Sequence, residues 1–338
     1  MEISLQAYPV PHEVKSQVTA GLWIMSPNPS QLTKKPNLDT YFDRHYYPNC
    51  QLFARDGGTL ISTKTQAEVV GLAKRILQGS TKSAALASLA GPGDAKPDAN
   101  AVNLCARLTT MCDFGGPEFG SSARRCLPWG DHQTIREAVA ENFQPEKKLQ
   151  PDNPRFQRFF TARHMEKIGG MRILWTNNLM DHLLLSEDDR AVFLFHHADF
   201  LRFQSGLANP VFPDGLIQET LQTLALLLPQ NKRKMRRWVR SQVAEHSLDP
   251  SLAWCGRTWS RDRRFEKFEF WHDRLVILKQ AFDESSPRRL SQWWADRRNP
   301  IQWSTFWVAI LVFATTVFFG LVQSIEGGIQ VHLALKAT

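Results

Sequence analysis

Two histidines and a carboxylate stand close together in the middle of the chain, in the run His196-His197-Ala198-Asp199. Imidazole and carboxylate groups can ligate a metal ion, and a histidine oriented by a carboxylate can act as a general base. A site with two histidines and one carboxylate takes its remaining geometry from distant positions, which the sequence does not name. The alternative is structural, because polar residues that follow an apolar strand can cap the next helix. His196, His197 and Asp199 are therefore the catalytic candidates, with both interpretations open.

Other polar groups and motifs add little chemistry. Asp181-His182 is a similar pair, and Trp271-His272-Asp273-Arg274 begins an amphipathic helix on whose surface ion pairs explain the charges. The sequence contains no Gly-x-Ser-x-Gly elbow, Walker A loop, His-Glu-x-x-His motif or Gly-x-Gly-x-x-Gly turn after a strand. The five cysteines lack the paired spacing of a zinc site. We therefore predict no metal site and no cofactor, and the sequence leaves enzyme status undecided.

Short strands between helices would have to position these groups. Residues 171–175 and Ala191–Phe195 are apolar runs bounded by Gly, Asn and Asp, which is typical of buried strands. Residues 179–185 lie between them and are too apolar for an exposed loop, so we predict a helix there. Pro213 and Asp214 then open a strongly amphipathic helix.

The chain ahead of these strands divides into two parts. Residues 1–60 are rich in Pro, Asn and Tyr and show little periodicity, so we expect an extended or loosely packed N-terminal arm. Residues 61–228 show apolar stripes at helical spacing, for example at 69–77 and 102–112, separated by Gly- and Pro-rich loops. We interpret this second part as a helical or α+β domain.

The longest apolar run lies near the C-terminus. Residues 303–322 read WSTFWVAILVFATTVFFGLV, twenty residues without a charged side chain. A helix rises about 1.5 Å per residue, so this run matches the ~30 Å hydrocarbon core of a bilayer. We predict one transmembrane helix at 303–322 and a short tail, 323–338, across the membrane. The alternative is a buried core helix of a large soluble domain.

The flanks of this run predict its orientation. Four arginines precede it at the distance over which positive charge sets topology, whereas only Lys336 follows it, offset by Glu326. We expect no secretory signal peptide at the N-terminus, since its best apolar stretch is short. We expect a tail-anchored, single-pass protein with a cytoplasmic N-terminal domain, in the endomembrane system (ER) rather than the mitochondrial outer membrane. The arginines, and the tryptophans that form an aromatic belt on the same side, are Arg288, Arg289, Arg297, Arg298, Trp293, Trp294, Trp303 and Trp307.

Positive charge is concentrated next to the predicted membrane helix. Residues 231–300 contain seventeen Lys and Arg against nine Asp and Glu, a surplus equal to the net charge of +8 of the whole chain. Anionic lipid attracts such a region by about 1 kcal/mol per basic residue. Nucleic acid could bind the same residues, but a membrane anchor argues against it, and a merely solvated basic face is the third interpretation. Within a basic juxtamembrane helical region at 229–302, the predicted lipid-binding residues are Lys232, Arg233, Lys234, Arg236, Arg237 and Arg240.

Small residues recur every four positions along the predicted anchor. Such a strip lets two helix backbones approach closely, so it indicates a weak homo-oligomer formed through the transmembrane helix. The alternative is that glycine and serine here only mark a fraying helix end. The strip consists of Thr316, Gly320, Ser324 and Gly328.

Residues 163–328 also resemble, in collinear order, a set of uncharacterised single-pass membrane proteins of filamentous fungi. The resemblance implies a shared membrane-tethered architecture and a fungal source, and it implies no reaction, cofactor or catalytic residue. The segments that carry it are RILWTNNLMDHLLL, AVFLFHHADFL, FPDGLIQETLQTLALLLP, FEFWHDRLVILKQAFDE and SQWWADRRNPIQWSTFWVAILVFATTVFFGLVQSIEG.

The sequence as a whole therefore predicts a mainly α (α+β) protein. Its helical cytoplasmic domain would carry a few short strands, and one C-terminal transmembrane helix would anchor it. We expect a membrane-tethered interaction or scaffold protein whose partners are the lipid bilayer and an unidentified protein. The alternative is a membrane-associated enzyme or an accessory protein of a fungal metabolic pathway.

Overall fold

The structure is a computed structural model that divides the chain into two compact units. One unit comprises residues 1–166 and 171–284, and the other comprises residues 167–170 and 285–338. The residues that the structure describes are 4–5, 12–23, 37–53, 61, 63–89, 99–115, 125–145, 147–186, 188–256, 259–285 and 300–337.

The first unit is built mainly from helices around one hydrophobic core. Local signals explain several of their ends: Thr65 and Glu68 form a capping box at the start of α4, and Thr134 and Glu137 form another at the start of α7. The helices are α1 (His12–Leu22), α2 (Asp39–Tyr41), which continues through a π-helical turn (Phe42–Tyr46) into α3 (Tyr47–Phe53), α4 (Gln66–Leu77), α5 (Lys82–Ala87), α6 (Ala99–Thr110), α7 (Ile135–Asn142), α8 (Ala162–Lys167), α9 (Ala198–Ser205), α10 (Leu216–Leu227), α11 (Arg233–His246) and α12 (His272–Glu284).

The described residues within 1–60 do not form the loosely packed arm that the sequence suggested. Trp23, which follows α1, and the aromatic side chains from α2 to α3 are buried in the core, and two of these rings donate hydrogen bonds to α6. The indole N–H of Trp23 donates to the carbonyl of Thr109 at 3.1 Å, and the Tyr41 hydroxyl donates to that of Leu108 at 2.6 Å. These helices are short and depend on contacts with α6, which is why local periodicity did not indicate them.

Three strands form a small sheet in the order β1 (Arg172–Thr176), β3 (Ala191–Phe195), β2 (Leu185–Ser186). Strands β1 and β3 are parallel, and β2 pairs antiparallel with β3. The helix predicted at 179–185 is reduced to a 3₁₀ turn. Leu183 adopts a φ of +62° and donates its N–H to the carbonyl of Phe193 at 2.8 Å, which turns the chain into β2.

The second unit contains one long helix, α13 (Pro300–Ala337), of 38 residues. Its segment Ser304–Leu333 has a mean hydropathy of 2.2, and none of that segment is buried. Among the described residues, one helix is long and apolar enough to cross a membrane, and it is α13. The boundary predicted at residue 322 is not a helix end, because residues 323–337 contain no proline and continue the helix.

The predicted fold class is confirmed. Across the described residues the protein is mainly helical, with a three-stranded sheet and a C-terminal helix that is long and apolar enough to span a membrane. The four flanking arginines and the tryptophans at positions 293 and 294 lie outside the described residues.

Candidate functional site

The two candidate histidines meet at the side chain of Asn177. Asn177 follows β1 and His196 follows β3, so parallel pairing of the strands places these residues at the same sheet edge. Both Nε2 atoms donate to the Oδ1 atom of Asn177, from His196 at 2.8 Å and from His197 at 2.7 Å. The imidazole rings are stacked with their centroids 4.0 Å apart. We call this group the Asn177 junction.

The hydrogen bonds and the burial of the junction make both histidines neutral. The Nδ1 atom of His196 accepts the backbone N–H of Asp249 at 3.4 Å, which leaves the proton on Nε2. Burial, helped by the nearby positive charge of Arg44, lowers the pKa of His196 to about 3. Burial also lowers the pKa of His197 well below its usual value. At neutral pH neither ring carries a charge.

The third candidate, Asp199, faces away from the histidines. Its Oδ1 atom pairs with the guanidinium of Arg202 at 3.0 Å, and its Oδ2 atom accepts the backbone N–H of Asn37 at 3.2 Å. The carboxylate that closes the junction is Asp249, which accepts the backbone N–H groups of Asp199 at 2.7 Å and Ser251 at 2.8 Å. Asp249 therefore caps α9 from a position fifty residues away in the sequence.

This arrangement connects chain segments and leaves little room for chemistry at the rings. The junction joins the ends of β1 and β3 to the start of α9, and the amide nitrogen of Asn177 donates to the carbonyl of Arg44 at 3.1 Å. Within the described ranges, no group of three or more His, Cys, Asp or Glu side chains is placed to hold a metal ion. The side chains of His196, His197 and Asp199 therefore connect neighbouring segments and do not cap α9, whose start is capped by Asp249.

The Asp181-His182 pair and the Trp271–Arg274 segment, far apart in the sequence, meet in the core. The Nε2 atom of His182 donates to the Thr223 hydroxyl oxygen at 2.7 Å, and its Nδ1 atom accepts the backbone N–H of Phe195 at 3.2 Å. The ring of Trp271 packs edge-on against His182 at 4.9 Å between centroids. Arg274 donates to the carbonyl of His182 at 2.7 Å. Burial lowers the pKa of His182 to about 3, so this histidine is also uncharged at neutral pH.

A polar cleft of about 310 Å³ opens on the other side of Asn177. Arg107 and Asp181 are each 1% exposed and His45 is 3% exposed, although these residue types are rarely so buried. Arg107 donates to the carbonyl of Phe114 at 2.8 Å. The polar residues that line the cleft are Arg44, His45, Asn49, Arg107, Asp113, Thr176, Asn177, Asn178 and Asp181.

Local sequence patterns do not indicate this cleft. Its members come from the π-helical turn, from α6 and from the turn after β1, so no local window contains them. One usable signal was present: Arg107 is a single cation among the apolar residues of α6, and a charge on a buried helix face indicates a functional or structural polar site.

Helix α11 and its cap residue Lys232 contain the six predicted lipid-binding residues. The apolar side of the helix faces the core through Met235 and Val239, while the indole N–H of Trp238 donates to Glu166 at 3.0 Å. All six cations are exposed, and none forms an ion pair with a residue that the structure describes. The helix is amphipathic, as its spacing predicted. It packs into the first unit, so residue 229 does not mark the edge of a separate compact unit.

Comparison with known proteins adds no assignment. No protein-family model matches the chain, and no curated protein or solved structure is significantly similar to it.

Proposed function

We propose that this protein is a single-pass membrane protein whose folded first unit serves as a tethered interaction or scaffold module. The observation that carries the proposal is the apolar segment Ser304–Leu333 of α13, which has a mean hydropathy of 2.2 and is not buried. A segment of this kind is stable in hydrocarbon, because every backbone polar group is satisfied within the helix.

The proposed topology places the first unit in the cytoplasm and the C-terminal end across the membrane. The sequence supports it through the arginines before residue 300 and the single lysine after residue 322. Insertion would be of the tail-anchored kind, into the endomembrane system (ER) rather than the mitochondrial outer membrane, and the source would be a filamentous fungus. The exposed cations at the start and along α11 would contact anionic lipid of the same leaflet.

The structural hydrogen bonds of the catalytic candidates support an interaction module over a catalyst. His196, His197 and Asp199 each use at least one side-chain polar atom to hold a neighbouring segment. One observation favours the second candidate function, a membrane-associated enzyme or accessory protein of a fungal metabolic pathway. That observation is the cleft beside Asn177, in which buried Arg, His and Asp side chains converge.

Proximity labelling in the protein's own cells tests the proposal. A labelling enzyme fused to the N-terminus of the full chain should mark a reproducible set of cytoplasmic and membrane-associated proteins. The same fusion truncated before Trp303 should lose the membrane-associated part of that set. Labelling of lumenal proteins, or an identical set from both fusions, would contradict the proposed topology or the tethering.

A substitution at the rim of the cleft separates the two candidate functions. Arg44→Ala removes an exposed guanidinium from the cleft and leaves the backbone carbonyl that Asn177 contacts. A scaffold should keep its labelled neighbours and the cellular metabolite profile. An enzyme that uses the cleft should keep its neighbours and change the metabolite profile.

A further inference from the structure

A second concavity, of about 540 Å³, lies at the start of α11 and shares no lining residue with the cleft beside Asn177. Its floor is apolar and contains the buried side chains of Phe160, Leu226 and Met235. Its volume is within the range of small-molecule sites. We call it the cationic pocket. Five basic residues line it and, within the described chain, no Asp or Glu does: Arg158, Arg163, Lys232, Lys234 and Arg263.

Backbone pairing joins the two segments that carry Arg158 and Arg263. Residues 154–156 run antiparallel to residues 263–265: Phe156 donates its N–H to the carbonyl of Arg263 at 2.9 Å, and Phe265 donates to that of Pro154 at 3.1 Å. The rings of Phe156 and Phe265 pack with centroids 3.8 Å apart, which fixes the pair of segments. Burial lowers the pKa of Arg263, and the nearby positive charge of Arg158 lowers it further. Among the described residues, no Asp or Glu forms an ion pair with Arg158 or Arg263.

The start of α11 adds further positive potential. A helix N-terminus carries a partial positive charge and favours acidic residues and side-chain acceptors. Here the cap position is Lys232, which supplies no side-chain acceptor, and the first turn contains no acidic residue. Lys232 and Lys234 from this turn line the pocket. An anion in the pocket would satisfy both the helix end and the basic side chains.

Two further features of the pocket indicate which kind of anion would fit it. The Oε1 atom of Gln157 is buried and has no hydrogen-bond partner among the described residues, so it can accept a hydroxyl proton. Trp259 lines the pocket with its side chain 61% exposed, which offers a flat apolar face to a ring. Cations suit phosphate groups, whereas the acceptor and the indole suit the hydroxyls and the carbon face of a cyclic polyol.

We propose that the cationic pocket binds a cyclic polyol carrying two or more phosphate groups, such as an inositol phosphate. The same chemistry can come from a free polyol phosphate or from the headgroup of a phosphoinositide. Only the lipid source rests on the proposed function, because it requires the pocket to lie near a leaflet. Binding of the free compound is independent of the membrane.

The test uses the full chain in micelles of an uncharged detergent, with inositol trisphosphate as the soluble probe. The pocket variant is Lys234→Gln with Arg263→Gln. The matched control is Arg237→Gln with Arg240→Gln, which removes the same charge from exposed positions of α11 outside the pocket. We expect the pocket variant to lose at least about tenfold in affinity, because each lost residue removes a charge-assisted hydrogen bond, and the control to stay within about threefold.

A thermal unfolding curve of each variant distinguishes lost contacts from lost folding. If the pocket variant unfolds early, Lys232→Gln with Lys234→Gln replaces it, since both side chains are exposed. Failure of the unmodified chain to bind the soluble probe, or equal losses in the pocket and control variants, would overturn the proposal.

Nanodiscs distinguish the two sources of the ligand. The full chain would be reconstituted in neutral nanodiscs and mixed with vesicles containing either phosphatidylinositol bisphosphate or phosphatidylserine at equal charge. A preference for the phosphoinositide that the soluble probe abolishes identifies the lipid headgroup. Soluble binding without that preference identifies the free polyol phosphate. Equal binding to both kinds of vesicle, with no competition by the soluble probe, would show that the protein binds lipid only through non-specific positive charge. That result would overturn the proposed binding site.

Discussion

The carboxylate of Asp249 accepts the backbone N–H of Asp199 at 2.7 Å and so caps α9. The same carboxylate accepts the N–H of Ser251, the second residue of the 3₁₀ helix Pro250–Trp254. One buried side chain thus satisfies two helix starts, whereas the carboxylate of Asp199 itself serves a partly exposed ion pair.

Asp249→Ala should therefore destabilise the first unit by about 2 kcal/mol or more, because a cap is lost and buried N–H groups are left without acceptors. Asp199→Ala should cost about 1 kcal/mol or less, as for other partly exposed ion pairs. Urea unfolding of the chain in detergent micelles, followed by tryptophan fluorescence, measures both. A larger loss in Asp199→Ala than in Asp249→Ala would contradict the capping assignment.

The Asn177 junction should make folding sensitive to acid. Burial lowers the folded-state pKa of His196 from 6.5 to about 3, so unfolding takes up a proton below pH 6.5. The stabilisation is complete above pH 6.5 and is lost as the pH falls from there towards 3, with a limiting slope of about 1.4 kcal/mol per pH unit. His196→Gln should flatten this dependence between pH 7 and pH 5.

The control for this pH profile is His132→Gln, which changes an exposed histidine. It should leave the difference in unfolding free energy between pH 7 and pH 5 unchanged. A His196→Gln variant with the full pH dependence of the unmodified chain would show that His196 is not a buried neutral residue.

The cations of α11 should bind anionic lipid through charge. A fragment ending before Trp303 is expected to sediment with acidic vesicles and to be released as salt rises. Replacing Lys232, Arg233, Lys234, Arg236, Arg237 and Arg240 with Gln should abolish sedimentation. Equal binding of the fragment to neutral vesicles would rule out the electrostatic account.

The strip of small residues on α13 predicts self-association that depends on Gly320. A Cβ atom added at Gly320 meets no atom within 4 Å, so Gly320→Ile would fill the strip without straining the helix. We expect this change to weaken dimer formation several-fold in a bilayer association assay, because close backbone contact is lost. Leu321→Ile is the matched control on the next position. A dimer signal that Gly320→Ile leaves unchanged would exclude this interface.

Local patterns predicted those elements whose determinants are local. The strand β3 corresponds to the predicted run of five apolar residues, the cap at Thr65 begins the helix that the stripe from Val69 indicated, and α13 follows from hydropathy. Helices α1 to α3 were missed because Trp23 and Tyr41 anchor this segment to backbone carbonyls of α6, which a local sequence window does not contain.

The candidate site shows the same limit more sharply. The sequence named His196 and His197 correctly as neighbours, but it could not name Asn177 or Asp249, their partners on other segments. It assigned the carboxylate role to Asp199, the nearest acid in the sequence, although the fold directs that side chain to Arg202. Sequence proximity suggested a site, and long-range hydrogen bonds determined what each residue does.

Alkaline carbonate extraction of cells that express the full chain tests anchoring by α13 most directly. The account predicts that the full chain stays in the carbonate-resistant membrane pellet, because Ser304–Leu333 lies in the bilayer. A version truncated before Trp303 should move to the soluble fraction. Release of the full chain by carbonate, or retention of the truncated chain in the pellet, would contradict anchoring by α13.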